Sequence, residues 1–180
     1  MNDRNTKGFT LIELIVVVAL VTVMSVMAFP TFAGWIARAR LRDAARTVYS
    51  DMQLARIRAI ETGAQWRISF APEKGTYMVV DPGTDMILDT KDDVEKIVNI
   101  FETRKGISFG TAQGAIPGAS EPADGVSFNG NRVTFLPIGS ADRGGTVYLK
   151  NERGETFAIV LSFNNARIRF ARNYGNGWEG

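Results

Sequence analysis

The stretch KGFTLIELIVVVALVTVMSVMAFP, Lys7 to Pro30, sets a long apolar run behind a short polar lead, with one carboxylate, Glu13, near its start. From Phe9 to Phe29 no other charge intervenes. A helix rises about 1.5 Å per residue, so this run is long enough to span a hydrocarbon core of about 30 Å. A charge within such a span costs about 2 to 3 kcal/mol or more, and an intramembrane acid therefore needs a partner and a reason. Two ordinary readings leave Glu13 without either. A cleaved secretory signal, with Val26 to Ala28 as its small-residue cleavage site, rarely carries a carboxylate in its core and has a shorter apolar region. A plain membrane anchor has no use for the charge.

Outward from this run, the chain has 180 residues, of which about 150 follow the apolar stretch, enough for one domain with a core of its own. Lys and Arg number 21 against 19 Asp and Glu, and a net charge of +2 selects neither a nucleic-acid nor an acidic partner. There is no cysteine and no histidine. Disulfides, thiolate chemistry, Ser-His-Asp and Cys-His pairs and imidazole-ligated zinc are thereby excluded, and no enzyme activity and no cofactor are expected.

The residues KGFTLIELIVVVALV resemble the processing site of type IV prepilins and type II secretion pseudopilins: glycine, a large apolar residue, Thr-Leu-Ile-Glu and an uncharged run coincide. The resemblance implies cleavage by a prepilin peptidase between Gly8 and Phe9, N-methylation of Phe9, and an assembly role for Glu13. Physical chemistry makes that role intelligible. Cleavage leaves an α-ammonium on Phe9, Glu13 follows at the i,i+4 spacing where helical side chains meet, and buried opposite charges become tolerable when paired. The pair forms within one chain or between an incoming subunit and its neighbour, and the resemblance favours the second.

Charge flanking the run conflicts with this orientation. The leader offers Arg4 and Lys7, whereas Arg38, Arg40, Arg42 and Arg46 follow the run, which by count alone would keep the C-terminal domain in the cytoplasm. The resemblance overrides the count and implies a single-pass inner-membrane protein with a periplasmic domain, assembled in a periplasmic or surface filament.

Pro30 is expected to kink or interrupt the helix. From Thr31 to Glu61 a helical pattern resumes, with Leu41, Ala45, Val48, Met52, Ala55 and Ala59 on one stripe. Arg38, Arg42 and Arg46, four apart, form a basic flank suited either to lipid phosphates or to acidic surfaces of neighbouring subunits. Gly63 is placed to end the helix. Strands are expected at 66–70, 76–80, 97–101, 107–109, 126–128, 132–136, 146–150, 156–161 and 167–170, punctuated by turns at Asn129–Asn131, Asn151–Glu155 and Asn164–Ala166. The expected fold is α+β: a long N-terminal helix, half transmembrane and half amphipathic, packed on an antiparallel β-sandwich in the manner of type IV pilins. Its parts are a leader at 1–8, a span at 9–29, an amphipathic continuation at 30–62, and a β-rich domain at 63–180 with a flexible C-terminal tail.

A second resemblance narrows the family. LARIRAIETGAQWRISF and, later, FLPIGSADRGGTVYLKNERGETFAIVLSFNNARIRF are similar to the GspH/FimT group of minor pseudopilins and minor pilins, with Phe135, Pro137, Gly139, Gly144, Gly145, Gly154, Arg167 and Arg169 on its pattern. The closing Gly-Arg-x-Arg has Ala166 for its glycine, and the neighbouring asparagines, which tolerate a left-handed backbone, are expected to shift the turn by one residue. Membership implies a structural minor pseudopilin of the type II secretion pseudopilus, exporting folded proteins across the outer membrane. The alternative is a FimT-like minor type IV pilin in pilus assembly or DNA uptake. Partners implied are other major and minor pseudopilins or pilins, the prepilin peptidase and inner-membrane lipid. DNA is a further candidate, through Arg167, Arg169 and Arg172 interleaved with Phe170, Tyr174 and Trp178. The acidic stretch Asp81–Glu95 offers weak calcium candidates in Asp89, Asp92 and Asp93, without the spacing of an EF-hand, and reads better as a solvated loop or an acidic docking patch.

In cells that contain a prepilin peptidase, the mature protein is expected to start at N-methylated Phe9. Intact-mass and N-terminal analysis of the membrane fraction checks this, and a start at Phe29 or at an uncut Met1 would return the chain to exported protein or plain anchor.

Overall fold

The computed structural model describes residues 9–119, 121–163 and 165–180, and for residues 26–33 the backbone alone. Two compact units part between Ile36 and Ala37. One helix, α1 (Leu11–Thr62), contributes to both.

Thr10 starts α1 by accepting the Glu13 N–H on its Oγ1 at 3.3 Å. Thr-x-x-Glu is a capping arrangement, and an acid in the first turn faces the positive end of the helix dipole. Apart from Thr10, Glu13, Thr22 and Ser25, the described side chains of this unit's helix are apolar, and large ones are exposed on it, Phe9 at 84 %, Leu11 at 76 % and Met24 at 71 %. Among the described residues no helix is long and apolar enough to cross a membrane. Leu11 to Ser25 covers about 22 Å, and the rest of the expected 9–29 span falls where side chains lie outside the described set. The leader, Gly8 and the side chain of Pro30 lie outside it too.

In the second unit α1 changes character. Leu41, Ala45, Val48, Met52, Ala55 and Ala59 are fully buried, the stripe that the three-and-four spacing predicts, and Ala44, which that stripe omits, is buried beside them. Gly63 closes the helix with φ of 68°, a left-handed conformation that costs glycine little.

Among the described residues nine strands follow: β1 (Trp66–Ala71), β2 (Thr76–Asp81), β3 (Val94–Asn99), β4 (Ile107–Phe109), β5 (Arg132–Phe135), β6 (Gly145–Asn151), β7 (Thr156–Leu161), β8 (Ile168–Asn173) and β9 (Trp178–Glu179). They form two antiparallel sheets, ordered β3-β2-β1-β5 and β4-β6-β7-β8-β9. One core joins both sheets to the helix, with Phe70 of β1 stacked on Phe128 at 5.9 Å and meeting Phe109 of β4 edge-on at 6.3 Å. Around this core the expected α+β arrangement of a long helix on antiparallel sheets is realised.

Several boundaries differ from expectation for physical reasons. The strand expected at 97–101 lies at Val94–Asn99, because Asn99 caps a short helical turn, α2 (Ile100–Thr103), by accepting the Glu102 N–H at 3.0 Å. β3 is an edge strand whose first four residues are exposed, so it lacks the alternation that marks a half-buried strand. Val126 and Phe128 are buried as their pattern implies, but the segment makes a single bridge, Val126 to Val147, before turning at left-handed Gly130. β8 runs to Asn173, and where a flexible tail is expected the chain returns as β9, pairing Glu179 with Arg172 and Trp178 with Asn173. The expected shift of the closing turn does not occur: Ala166 itself takes φ of 45°, a left-handed conformation that favours glycine, and is fully buried there. Asn164 lies outside the described residues.

Buried Tyr77 of β2 donates to Asp51 Oδ2 of α1 at 2.6 Å, and Lys96 Nζ of β3 reaches Asp51 Oδ1 at 3.1 Å. Burial, then the hydrogen bond to Asp51, pushes the Tyr77 phenol above its ordinary value of 10.0. A raised folded value gives a stability contribution that is complete below the unfolded pKa and is lost as pH rises toward the folded one. Tyr77→Phe should therefore cost about 1 to 2 kcal/mol near neutral pH. In unfolding measurements carried above pH 10 the gap between variant and parent should narrow.

Candidate functional site

Two regions carry charge in positions that packing alone does not demand. The first is the start of α1, where Phe9 is exposed and Glu13 sits in the first helical turn with its backbone N–H held by Thr10. Gly8, the other side of the expected cleavage bond, is outside the described residues. Thr10 as a cap was readable from Thr-x-x-Glu, a signal that the processing pattern hides because the same two residues serve both.

The second lies where α1 meets β8 and β9. Arg42 and Arg46, one turn apart on the helix, line a cleft with Arg172 and Glu179, and Phe157, Phe170 and Ala171 give it an apolar side. The pairing register explains why Arg172 belongs here. Ile168, Phe170 and Arg172 lie opposite Leu161, Ile159 and Phe157, so they share the face that looks to the core and the helix. Arg169 lies opposite Val160 and projects to the other face, and Arg167 precedes the strand. The three arginines singled out as a DNA-binding group are thus all exposed but are not brought to one face.

Their aromatic neighbours are also engaged elsewhere. Phe170 stacks on Tyr49 of α1 with centroids 4.6 Å apart, and Trp178 meets Tyr148 edge-on at 5.9 Å. Tyr174 lies under two guanidinium groups, Arg38 at 5.3 Å and Arg172 at 5.7 Å from its ring centroid. Arg38, exposed on the flank as the sequence implies, also ties α1 to the buried Glu155 just before β7, which accepts from Asn151 at 2.8 Å. Among the described residues Arg42 and Arg46 have no ion-pair partner. What the sequence could not supply is the register that sets Arg172 opposite a helix far away in the chain.

The acidic stretch is organised by its own contacts. Asp89 receives two hydrogen bonds from Arg67 at 2.6 and 3.0 Å, Asp92 accepts from Thr84 at 2.6 Å, and Asp93 accepts the Asp89 N–H at 2.8 Å. Among the described residues no group of three or more such side chains is placed to hold a metal ion. Elsewhere, Gly139 of the Phe-x-Pro-x-Gly loop lies against α1: a Cβ there would stand 2.9 Å from Ile60, and its carbonyl accepts from Arg56 Nε at 2.8 Å.

A helix packed on antiparallel sheets, preceded by an apolar helical lead with one first-turn acid, defines a pilin-type subunit. Comparison with solved structures places the fold beside the minor pseudopilin EpsH from the type 2 secretion system of Vibrio cholerae, with a TM-score of 0.51, 13% identity and coverage of 73% of this chain and 95% of that one. The type IV minor pilin FimU of Pseudomonas aeruginosa is similar at a TM-score of 0.51 and 13% identity, covering 75% and 90%. Residues 3–29 match the Prokaryotic N-terminal methylation motif, and residues 44–167 match Type II transport protein GspH. The chain belongs to that GspH family of type II transport, whose members are structural proteins and not enzymes. Among relatives, the type II secretion system protein H of Xanthomonas campestris pv. campestris is 31% identical over 71 residues, 39% of this chain and 42% of that protein. A fimbrial protein of Pseudomonas aeruginosa is 28% identical over 127 residues, 67% of this chain and 82% of that one. The chain thus spans less than half of the first relative's length and most of the second's.

The Arg67 guanidinium, bonded to Asp89, holds that carboxyl below its ordinary value of 3.8. A lowered folded value contributes stability above the unfolded pKa that is lost as pH falls through the folded one. Asp89→Asn should therefore remove part of the acid-side decline, seen by comparing unfolding of variant and parent from about pH 5 to about pH 2.

Proposed function

We propose that this chain is a minor pseudopilin that joins the periplasmic filament of a type II secretion system and serves export of folded proteins across the outer membrane. The observation that carries this is α1: apolar on all described sides before Ile36, with one acid in its first turn, and amphipathic after Ala37. A helix with no polar side needs lipid or neighbouring helices around it. In this proposal residues 9–29 hold the subunit in the inner membrane as a single pass before assembly, with the domain from residue 63 in the periplasm. The prepilin peptidase cuts between Gly8 and Phe9 and Phe9 is methylated. Glu13 then neutralises an α-ammonium, its own or a neighbour's, in a setting where neither charge is tolerable alone. The remaining partners are other major and minor pseudopilins.

A second reading, a minor type IV pilin acting in pilus assembly, is supported by the match to a fimbrial protein over 67% of the chain. Both readings share the processing and assembly chemistry and differ in the machine served.

Glu13→Leu should leave cleavage and membrane insertion intact but reduce entry into filaments about tenfold or more, since an unpaired buried ammonium costs several kcal/mol. Subunit recovered in sheared filaments, relative to the membrane pool, measures this, and entry at the normal rate would sink the role given to Glu13. Deletion followed by assays for protein secretion and for pilus-dependent motility separates the two machines.

A further inference from the structure

We infer that the cleft between α1 and the β8–β9 hairpin docks an acidic polypeptide segment of a neighbouring filament subunit; the inference rests on the assembly reading above and names the surface that reading leaves open. The cleft has a volume of about 560 Å³ and presents three guanidinium groups, from Arg42, Arg46 and Arg172, beside an apolar wall of Phe157 and Phe170. Two of the three have no ion-pair partner among the described residues, and all three residues are exposed. Arg172 is paired with Glu179, whereas Arg42 and Arg46, a turn apart on α1, carry like charges that an incoming anion relieves.

The chemistry of the anion is indicated by what already sits there. Glu179 of β9 lines the same cleft and accepts from Arg172 Nε at 3.2 Å, so a carboxylate on an extended strand is a group the cleft accommodates. The planar fork of arginine suits carboxylates in pairs. A nucleic acid is disfavoured by the same geometry. Its bases need free aromatic faces, whereas Phe170 is stacked on Tyr49 and Tyr174 lies beneath two arginines, and Arg169 points to the opposite face of the sheet. Position also selects a neighbouring subunit. Arg42 and Arg46 lie on α1, the element through which the proposed filament packs, so a neighbour set against that helix brings its own surface to the cleft. The acidic stretch Asp81–Glu95 of this chain, with Asp85, Asp92 and Glu95 exposed, is an example of the kind of segment that fits.

The test uses the full chain in an uncharged detergent and a fluorescein-labelled octaglutamate peptide, read by fluorescence anisotropy at low salt. Arg42→Glu/Arg46→Glu should weaken peptide binding about tenfold, the order expected for losing two partly exposed ion pairs, and Arg42→Gln/Arg46→Gln should weaken it less. Glu179→Gln should strengthen it about two- to threefold by freeing Arg172. Arg169→Glu, on the other face, should change it no more than the same charge reversal at Arg153, so that overall charge is controlled. Both double variants keep the buried stripe of α1, and circular dichroism verifies their fold. Unchanged peptide binding in both double variants would overturn the inference. So would an oligothymidylate of equal charge that binds more tightly than the peptide and is lost in the same variants, which would make the cleft a nucleic-acid site. Because the peptide assay needs no filament, its failure is distinct from normal filament entry of Glu13→Leu, the result that would remove the assembly reading itself.

Discussion

Burial of one face of α1 is the constraint on which the second unit depends. Leu41, Val48 and Met52 are fully enclosed, each worth about 1.5 to 3 kcal/mol relative to exposure. Between them Ala44, Ala45, Ala55 and Ala59 are fully buried in the same cluster as the apolar side chains of both sheets. Neither sheet encloses a core alone. The residues that join them, Phe70, Phe109 and Phe128, belong to the same cluster as the helix stripe. Polar ties fix the register of that packing: Asp51 to Tyr77 and Lys96, Arg38 to Glu155, Asp43 to Arg104, and Arg56 to the carbonyl of Gly139. Each joins α1 to a segment distant in sequence, and several hold a buried polar group that would be costly to leave unpaired.

The helix was readable because its period is local. The spacing from Leu41 to Ala59 and the glycine at 63 give the stripe and its end without any knowledge of the sheets. Strands bounded by strong turns were equally legible: the turn at Asn151–Glu155 places β6 and β7, and Gly154 takes the left-handed conformation that such a turn requires. Legibility fails where a strand is decided by its partners. Edge strand β3 carries Glu95 and Lys96 because neither is fully buried, and β9 is two residues long and stands only because Arg172 and Asn173 offer it a ladder. Conversely Val126 and Phe128 carry a strand pattern because both are buried, although their backbone pairs at one bridge. Burial dictates residue type, and backbone pairing need not follow.

The same distinction governs the candidate sites. The processing site is a run of adjacent residues, so sequence alone carries it. The tail arginines are close in sequence too, yet a strand sends alternate residues to opposite faces, and Arg169 and Arg172 part there. Arg172 instead joins Arg42 and Arg46, more than a hundred positions earlier, and only the β7–β8 register makes that visible. The acidic stretch behaves likewise. Its carboxylates look like ligands in sequence, but Arg67 of β1 and the loop's own N–H and hydroxyl groups absorb them.

Within α1 one continuous backbone meets two different requirements. Before Ile36 a side chain gains nothing from facing any particular direction, because the described residues offer apolar surface all round, and the lone acid is placed where the first turn's N–H groups and dipole favour negative charge. After Ala37 direction is everything, since the stripe must face the sheets and the opposite flank must stay soluble. Arginine suits that flank: its stem covers apolar surface while its head remains hydrated. Arg42 and Arg46 lie a turn apart, and like charges at i,i+4 weaken a helix by about 0.2 to 0.5 kcal/mol. In the docking inferred above, a carboxylate arriving between them relieves this small cost.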